Sequence, residues 1–181
     1  MRRTVLVLSG FLVASRCLAA DGLPEPSAFA TELTPQCLIR MSRCQLLAVY
    51  RSGTPTTAPP AGFAKGYPIF EPGKRLTVAR TYATRLLWQG KEFNCQGDMM
   101  VNRVFGGVKA VKAQVFPGES WYDGGPALVF DYQCTSKLFA SVRDEVREVA
   151  PGVFLGLTYI RKAQESPPEL KVFFVLDARG R

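Results

Sequence analysis

The stretch Trp88-Gln89-Gly90-Lys91-Glu92-Phe93 opens the part of the sequence that decides the fold, residues 82–159. Short apolar runs then alternate with turn residues. They end in Arg143-Asp144-Glu145-Val146-Arg147-Glu148 and Pro151-Gly152-Val153-Phe154-Leu155-Gly156. Short, evenly spaced strands that are joined by local turns are typical of antiparallel barrels and sandwiches. We therefore predict a mainly β fold, either an antiparallel β-barrel or a strongly curved sheet.

Single strands are predicted from the alternation of apolar and polar residues between turn signals. The clearest hairpin is hinged on Pro151-Gly152. Residues 75–88 are rich in strand formers, although a helix over residues 78–87 is the alternative, because apolar residues also recur there at three- and four-residue spacings. The further predicted strands are residues 93–103, 108–116, 127–132, 142–149, 153–161 and 171–178.

Residues 1–20 have the pattern of a secretory signal peptide. Arg2 and Arg3 precede an apolar run over residues 4–15, and Leu18-Ala19-Ala20 provides small residues before the expected cleavage at Asp21. This run is shorter than the roughly 20 apolar residues that a membrane-spanning helix needs. We expect a secreted or extracytoplasmic protein, or one delivered to an organelle lumen, that does not span a membrane after cleavage.

After the leader, the sequence divides into two parts. Residues 21–74 are the predicted N-terminal segment, with a short helix over residues 34–50 that starts at Thr34-Pro35 and a Pro/Gly-rich loop over residues 51–74. Tyr67, Ile69 and Phe70 either form a short strand in this loop or plug one end of the barrel. Residues 75–181 are the predicted barrel domain.

The charge of the chain does not indicate a nucleic-acid partner. The sequence has 23 basic and 15 acidic residues, and three of the basic residues lie in the leader. The remaining excess is mild and spread along the chain, whereas nucleic-acid binders show a basic stripe with interleaved aromatic residues.

Four cysteines follow the leader, and in an exported chain an even number predicts two disulfides. If residues 34–50 form one helix, Cys37 and Cys44 lie about 10 Å apart along its axis, which is too far for a bridge. Each would then pair with Cys95 or Cys134, while a bend would allow a local Cys37–Cys44 bridge. We favour the long-range pairing. Without histidine or paired cysteine spacing, we expect no metal site and no cofactor.

The absence of histidine excludes histidine-dependent triads and leaves carboxylate, lysine, tyrosine and cysteine chemistry. In the densest charge cluster, Arg143 and Glu145 share one face of the predicted strand, and Asp144 lies on the other. One interpretation is an interior charge pair, Arg143 with Asp131 or Glu145, that orients the polar head of a ligand. The alternative is a set of structural ion pairs. Lys91, beside Gly90 in a predicted turn, is expected to be exposed.

Several short motifs resemble those of the uncharacterised barrel domains that are grouped with the GXWXG family. Trp88-Gln89-Gly90-Lys91-Glu92-Phe93 is similar to the opening of these domains, although Leu86 stands in place of their first glycine. Val129-Phe130-Asp131 resembles a Val-Tyr-Asp strand of the group. Phe139, Arg143, Leu155-Gly156 and Phe173-Phe174-Val175-Leu176 follow in a similar order. The resemblance covers about residues 82–179 and implies a lipocalin-like barrel without an assigned activity.

The function that these observations favour is a secreted, non-enzymatic barrel that binds a small hydrophobic or amphipathic ligand among aromatic side chains. No catalytic residue is expected. An interaction module of an extracytoplasmic assembly, with an exposed apolar patch, is the first alternative. An enzyme that uses Asp131, Tyr132 or Glu145 as acid or base is the second. The candidate ligand-binding residues are Trp88, Phe116, Asp131, Tyr132, Arg143, Glu145 and Tyr159.

Overall fold

The computed structural model describes residues 33–163 and 165–180, so the predicted leader lies outside the described residues. Within these ranges the chain forms three short helices and eight β-strands. The helices are α1 (Pro35–Leu38), α2 (Arg43–Ser52) and α3 (Thr77–Thr84), and one 3₁₀ turn spans Phe105–Gly107. The strands are β1 (Gly62–Ile69), β2 (Trp88–Phe93), β3 (Met99–Val104), β4 (Val108–Glu119), β5 (Pro126–Asp131), β6 (Val142–Ala150), β7 (Val153–Ile160) and β8 (Glu169–Asp177).

The eight strands close into one antiparallel barrel in sequence order. Each strand pairs with its neighbours along the chain, and β8 pairs with β1 to close the ring, with Tyr67 opposite Val175. Closure leaves no unpaired sheet edge. The predicted fold class, a mainly β antiparallel barrel of lipocalin-like type, is confirmed.

Side chains alternate between the barrel interior and its outer wall, and the fold therefore has two apolar cores. The interior core draws residues from all eight strands, among them Phe93, Met100, Leu128, Phe154 and Phe174. The second core lies on the outer wall of β1, β6, β7 and β8, where α1 and α2 cover it. Leu38, Leu46, Tyr50, Leu155 and Phe173 belong to this second core.

The N-terminal helix is broken in two, so the prediction of one helix over residues 34–50 is wrong. Its start is as predicted: Thr34 Oγ1 accepts a hydrogen bond from the Cys37 backbone N–H, and Pro35 is the first helical residue. A second N-cap interrupts the helix, because Ser42 and Gln45 form a capping box that begins α2.

None of the helices in the described ranges has the length and apolar character that crossing a membrane requires.

Two elements differ from the predicted ones between residues 51 and 88. β1 lies within the predicted Pro/Gly-rich loop and contains Tyr67 and Ile69, so the alternative of a short strand there is correct. This strand is longer than predicted, and the barrel begins at Gly62 and not at residue 75. α3 takes the place of the predicted strand over residues 75–88, which makes the helical alternative correct. Tertiary contacts hold α3 on β1: Thr81 Oγ1 donates to the Pro68 carbonyl at 2.7 Å, and Arg85 Nε donates to the Gly66 carbonyl at 3.0 Å.

A turn divides the predicted strand over residues 93–103. The Asn94 side chain accepts hydrogen bonds from the backbone N–H groups of Gly97 and Met99, at 2.9 and 3.2 Å, and so stabilises a tight reversal between β2 and β3. The predicted strands over residues 108–116, 127–132, 142–149, 153–161 and 171–178 correspond to β4 to β8. Turns cover residues 137–141 between β5 and β6.

The four cysteines of the described ranges are free and exposed, so the structure contradicts the two predicted disulfides. Cys37 and Cys44 lie on different helices because of the break before Ser42. Cys95 and Cys134 lie in turns at opposite ends of the barrel, β2–β3 and β5–β6. A disulfide needs Cα atoms within about 7 Å, so the last two cannot pair with each other.

Close packing between β7 and β8 depends on Gly156. Gly156 lies opposite Phe174, and a Cβ atom at Gly156 would lie 2.1 Å from Cζ of the Phe174 ring. The ring thus occupies the space that any other residue at position 156 would need. We expect Gly156→Ala to lower the free energy of unfolding by about 1–3 kcal/mol through overpacking, as measured by urea denaturation.

A matched control is Gly180→Ala, because only the flexible end of the Lys65 side chain lies near a Cβ there. Combining Gly156→Ala with Phe174→Leu should recover part of the loss, since the smaller side chain makes room for the methyl group. Strictly additive losses in the double variant would contradict this packing argument.

Candidate functional site

A buried ion pair lies inside the barrel between Lys91 of β2 and Asp144 of β6. Lys91 Nζ lies 2.8 Å from Asp144 Oδ2, and the two side chains are 2% and 5% exposed. The strands that carry them are not neighbours in the ring, so the pair crosses the barrel interior. Removing two charges from water is costly unless they are paired and fully hydrogen-bonded.

Three acceptors surround the Lys91 ammonium. Besides Asp144, it donates to the Tyr132 hydroxyl at 2.7 Å and to Asn102 Oδ1 at 3.1 Å. The Tyr132 hydroxyl donates to Asp144 Oδ2 at 2.8 Å, and the Thr158 hydroxyl donates to Asp144 Oδ1 at 2.7 Å. Every charged atom of the pair therefore has a partner. We call Lys91, Asn102, Tyr132, Asp144 and Thr158 the interior polar cluster.

Aromatic rings surround the same ammonium. The ring centroids of Trp88, Phe130, Tyr132 and Phe174 lie 5.4–5.5 Å from Lys91 Nζ. A cation at this distance is attracted by the electrons of an aromatic ring, and the attraction grows when water is excluded. The rings thus partly replace the hydration that Lys91 loses on burial.

The local backbone explains why Lys91 points inward. The register between β2 and β3 shifts between Trp88 and Gly90, and Gly90 has φ 141°. A Cβ atom at Gly90 would lie 2.1 Å from the Ala64 carbonyl oxygen, so only glycine allows β2 to approach β1 this closely. Bulges of this kind redirect a side chain. Gly90 thus belongs to a bulge inside β2, and the predicted exposure of Lys91 in a turn is wrong.

The interior environment shifts the pKa values of the cluster. Burial lowers the pKa of Lys91 below its ordinary value, and the neighbouring Asp144 carboxylate opposes that shift. Burial and the Asp144 charge raise the pKa of Tyr132 well above its usual value, so its hydroxyl stays protonated and donates. The interior thus contains an amine that releases its proton more readily than an exposed lysine.

A cavity of about 270 Å³ lies next to the cluster at one end of the barrel. It opens between residue 70, α3 and the β5–β6 loop. The buried side chains of the interior core pack beside it. The walls are mostly apolar, and the polar groups come from the interior polar cluster and Thr84. The lining residues are Pro68, Phe70, Thr84, Trp88, Lys91, Asn102, Val104, Val111, Tyr132, Phe139, Val142, Asp144, Thr158, Val172 and Phe174.

A second polar cluster lies on the outer wall of β6 and has a structural role. The fully buried Glu145 accepts hydrogen bonds from the Ser120 hydroxyl at 2.6 Å and from the Trp121 backbone N–H at 2.8 Å. Burial raises the pKa of Glu145, against the effect of these bonds. Arg143 Nε lies 3.4 Å from Glu145 Oε1 without a hydrogen bond. Glu145 therefore holds the β4–β5 loop on the barrel.

Arg147, two residues further on the same face, joins three elements. Its guanidinium donates to both carboxylate oxygens of Asp123 at 2.7 and 2.8 Å and to the Tyr50 carbonyl at 3.3 Å. Arg147 Nε donates to the Pro126 carbonyl at 3.0 Å. The Arg147 contacts hold the β4–β5 loop and the end of α2 against β6.

The predicted ligand-binding residues fall into separate places. Trp88 and Tyr132 line the cavity. Arg143, Glu145 and Tyr159 belong to the outer wall of the barrel, where the Tyr159 ring packs against Trp121 at 5.7 Å between centroids. Asp131 lies at an open cleft outside, and Phe116 is 41% exposed on β4. These last five residues do not line the cavity, because their strand positions point outward.

Four members of the interior polar cluster were missed: Lys91, Asn102, Asp144 and Thr158. The sequence did contain a signal for Asp144. It shares one face of β6 with the apolar Val146, which predicts that this face points into the barrel. The interior charge pair exists, but it joins Asp144 to Lys91 and does not involve Arg143. Asp131 and Glu145 lie on the outer wall and Tyr132 in the interior, so these three do not form one acid–base site.

No protein-family model and no curated protein matches this chain. Among solved structures, the chain is similar to a protein from Thermomonospora curvata with 16% sequence identity. The alignment covers 76% of this chain and 88% of that chain, with a TM-score of 0.45. The site is therefore interpreted from its own residues.

Removing one member of the ion pair should be more harmful than removing both charges. We expect Lys91→Met to lower the free energy of unfolding by about 3–5 kcal/mol, because it leaves the Asp144 carboxylate buried without a counterion. Urea denaturation measures this loss.

The control is the double variant Lys91→Met with Asp144→Asn, which removes both charges. It should be more stable than Lys91→Met alone, because the neutral amide has a smaller desolvation cost. A double variant as unstable as the single one would show that packing, and not charge burial, explains the loss.

Proposed function

We propose that this protein is an exported, non-enzymatic barrel that binds a small amphipathic ligand in its interior cavity. The observation that supports this most is the combination of a mostly apolar cavity with the interior polar cluster on one wall. Apolar burial provides the affinity in such pockets, and a few polar groups fix the orientation of the ligand. Export follows from the signal-like pattern of residues 1–20.

The size of the cavity limits the ligand. Liquid water occupies about 30 Å³ per molecule, so 270 Å³ accommodates roughly nine non-hydrogen atoms. A medium-chain alcohol, acid or aldehyde fits this size. Its polar group would lie at Lys91, Asn102 and Tyr132, and its chain would extend along Val104, Val142 and Val172 to the opening.

Octan-1-ol is a suitable probe, because Trp88 lines the cavity and reports on occupancy. The chain has two tryptophans, so Trp121→Phe leaves Trp88 as the only tryptophan. We expect octan-1-ol to change Trp88 emission saturably. Adding Val172→Phe, which fills the cavity, should weaken binding at least about tenfold, or about 1.4 kcal/mol.

Phe116→Leu is the matched control, since Phe116 lies on the outer wall and its substitution should leave the affinity unchanged. The proposal fails if no saturable change occurs, or if Val172→Phe binds octan-1-ol as tightly as its parent.

A second candidate function, an interaction module, is favoured by the surface around the cavity opening. The segments that connect the strands at this end are residues 70–87, which include α3, and residues 105–107, 132–141 and 161–168. They carry seven basic and two acidic residues, whereas the opposite loops 94–98, 120–125 and 151–152 carry two acidic residues and no basic one. The exposed large apolar side chains in or next to these segments, which we call the portal rim, are Leu76, Tyr82, Leu86, Leu87, Phe105, Val108, Leu138 and Phe139.

Exposed leucines among basic residues suit an anionic membrane surface, where the apolar side chains enter the lipid and the cations meet the headgroups. The Phe105 backbone N–H donates to the Leu87 carbonyl at 3.1 Å, so two parts of the portal rim are adjacent. A barrel that docks by its opening would exchange an amphipathic ligand directly with the bilayer.

Vesicle sedimentation tests this docking. We expect binding to phosphatidylcholine vesicles that contain phosphatidylserine, weaker binding at high salt, and a loss of about tenfold for Leu86→Ser with Leu138→Ser. Phe116→Ser removes an exposed ring away from the opening and should have little effect. Equal losses for both variants, or no vesicle binding by the parent protein, would reject the portal rim as a membrane surface.

A further inference from the structure

We propose that Lys91 captures a medium-chain aldehyde as a Schiff base inside the cavity. This inference rests on the proposed ligand-binding function and specifies the chemical class of the ligand. It assigns the Lys91 amine a role beyond orienting a polar head. The Lys91–Asp144 pair with its hydrogen-bonded Tyr132 would then be a reaction site as well as a structural pair.

The position of the amine is the first support for the proposal. Lys91 is the buried lysine of the described residues, and it lines the cavity. The weakest of its three hydrogen bonds, at 3.1 Å, goes to Asn102 Oδ1, which also accepts from Trp88 Nε1 at 2.8 Å. The amine can therefore give up this bond and turn toward a ligand without leaving Asn102 unpaired.

The protonation state of the amine is the second support. A lysine attacks a carbonyl group only as the neutral amine, and burial favours that form. Desolvation lowers the pKa of Lys91, although Asp144 opposes the change. A proton acceptor is already in place, since Asp144 Oδ2 lies 2.8 Å from Lys91 Nζ.

The reaction needs no redox partner. The Lys91 ammonium passes one proton to Asp144, and the nitrogen lone pair then attacks the carbonyl carbon while the carbonyl π electrons move to oxygen. Asp144 returns the proton to that oxygen and takes a second one from the nitrogen. The carbon–oxygen bond breaks, the oxygen leaves as water with this second proton, and a protonated carbon–nitrogen double bond remains. One aldehyde is consumed and one water is released.

The product retains the charges that the barrel is built to hold. The protonated imine carries one positive charge beside the Asp144 carboxylate, so the buried ion pair survives the reaction. The Thr158 hydroxyl, 2.7 Å from Asp144 Oδ1, holds the carboxylate in place. The rings of Trp88, Phe130 and Phe174 lie around the same nitrogen and limit access of the water that would hydrolyse the imine.

Octanal and octan-1-ol form a matched pair of probes for the full chain. The alcohol reports on entry into the cavity alone. With the aldehyde, cyanoborohydride reduces the imine to a stable secondary amine, which leaves an octyl group on the lysine. We expect mass spectrometry to show one octyl group per chain, located on Lys91 by peptide mapping. Labelling of Lys91 should be at least tenfold faster than that of Lys109, whose side chain is 58% exposed.

Two variants separate chemistry from folding. Lys91→Arg keeps a positive charge for Asp144 and removes the nucleophilic amine, so it should fold but lose the site-specific octyl group. Asp144→Asn keeps the amine but removes the carboxylate that moves protons during addition and loss of water. Labelling of Lys91 should slow at least tenfold, although the substitution also removes the charge that opposes the lowering of the Lys91 pKa. Circular dichroism and urea denaturation establish that each variant is folded.

The outcomes distinguish this inference from the proposed function. If octan-1-ol binds and octanal labels only exposed lysines, the Schiff base is rejected and the binding function stands. If neither probe enters the cavity, both are rejected. Labelling of Lys91 that Asp144→Asn does not slow would also reject the role assigned to the carboxylate.

Discussion

The Lys91–Asp144 ion pair is the constraint on which the barrel interior depends. Two opposite charges lie 2.8 Å apart between non-neighbouring strands, in a region without bulk water. Such a pair is tolerated only when each charged atom has a partner, which Tyr132, Asn102 and Thr158 provide. The cluster also divides the interior, because apolar side chains fill the space on one side and a cavity remains on the other. The same interaction therefore positions the walls of the candidate site and supplies its only interior charges within the described residues.

Strand β6 shows how one short segment serves two purposes. Its inward face carries Asp144 to the interior cluster, while its outward face carries Glu145 and Arg147 to the loop and helix that cover the wall. Glu145 and Arg147 are saturated by groups of the protein itself, so they are structural. Asp144 is saturated too, but its partners face a cavity. Access to open space, and not charge or burial, thus separates the candidate site from the structural cluster.

Much of the fold could be predicted from local patterns. The β6–β7 hairpin and the strands from β4 onward follow from alternation and turn residues, which act over a few neighbours. The elements that were misassigned depend on distant partners. β1 contains Pro68 and two glycines and is a strand because β2 and β8 pair with it. α3 is a helix that Thr81 and Arg85 hold on β1. The candidate site shows the same difference between local and distant signals. Trp88 and Tyr132 were predicted as site residues from the sequence, whereas Lys91 was not, because its inward orientation depends on the bulge at Gly90.

By itself, the sequence determined the antiparallel β class, the order of most strands, the helix start at Thr34-Pro35 and the absence of histidine chemistry. These depend on residue type and near neighbours. Only the tertiary structure decided that Lys91 points inward, that it meets Asp144 across the barrel, and that a cavity of about 270 Å³ remains beside them. The physical reason is that a buried charge is placed by closure of the ring and by the bulge at Gly90, and both require strands far apart in the chain to be in contact.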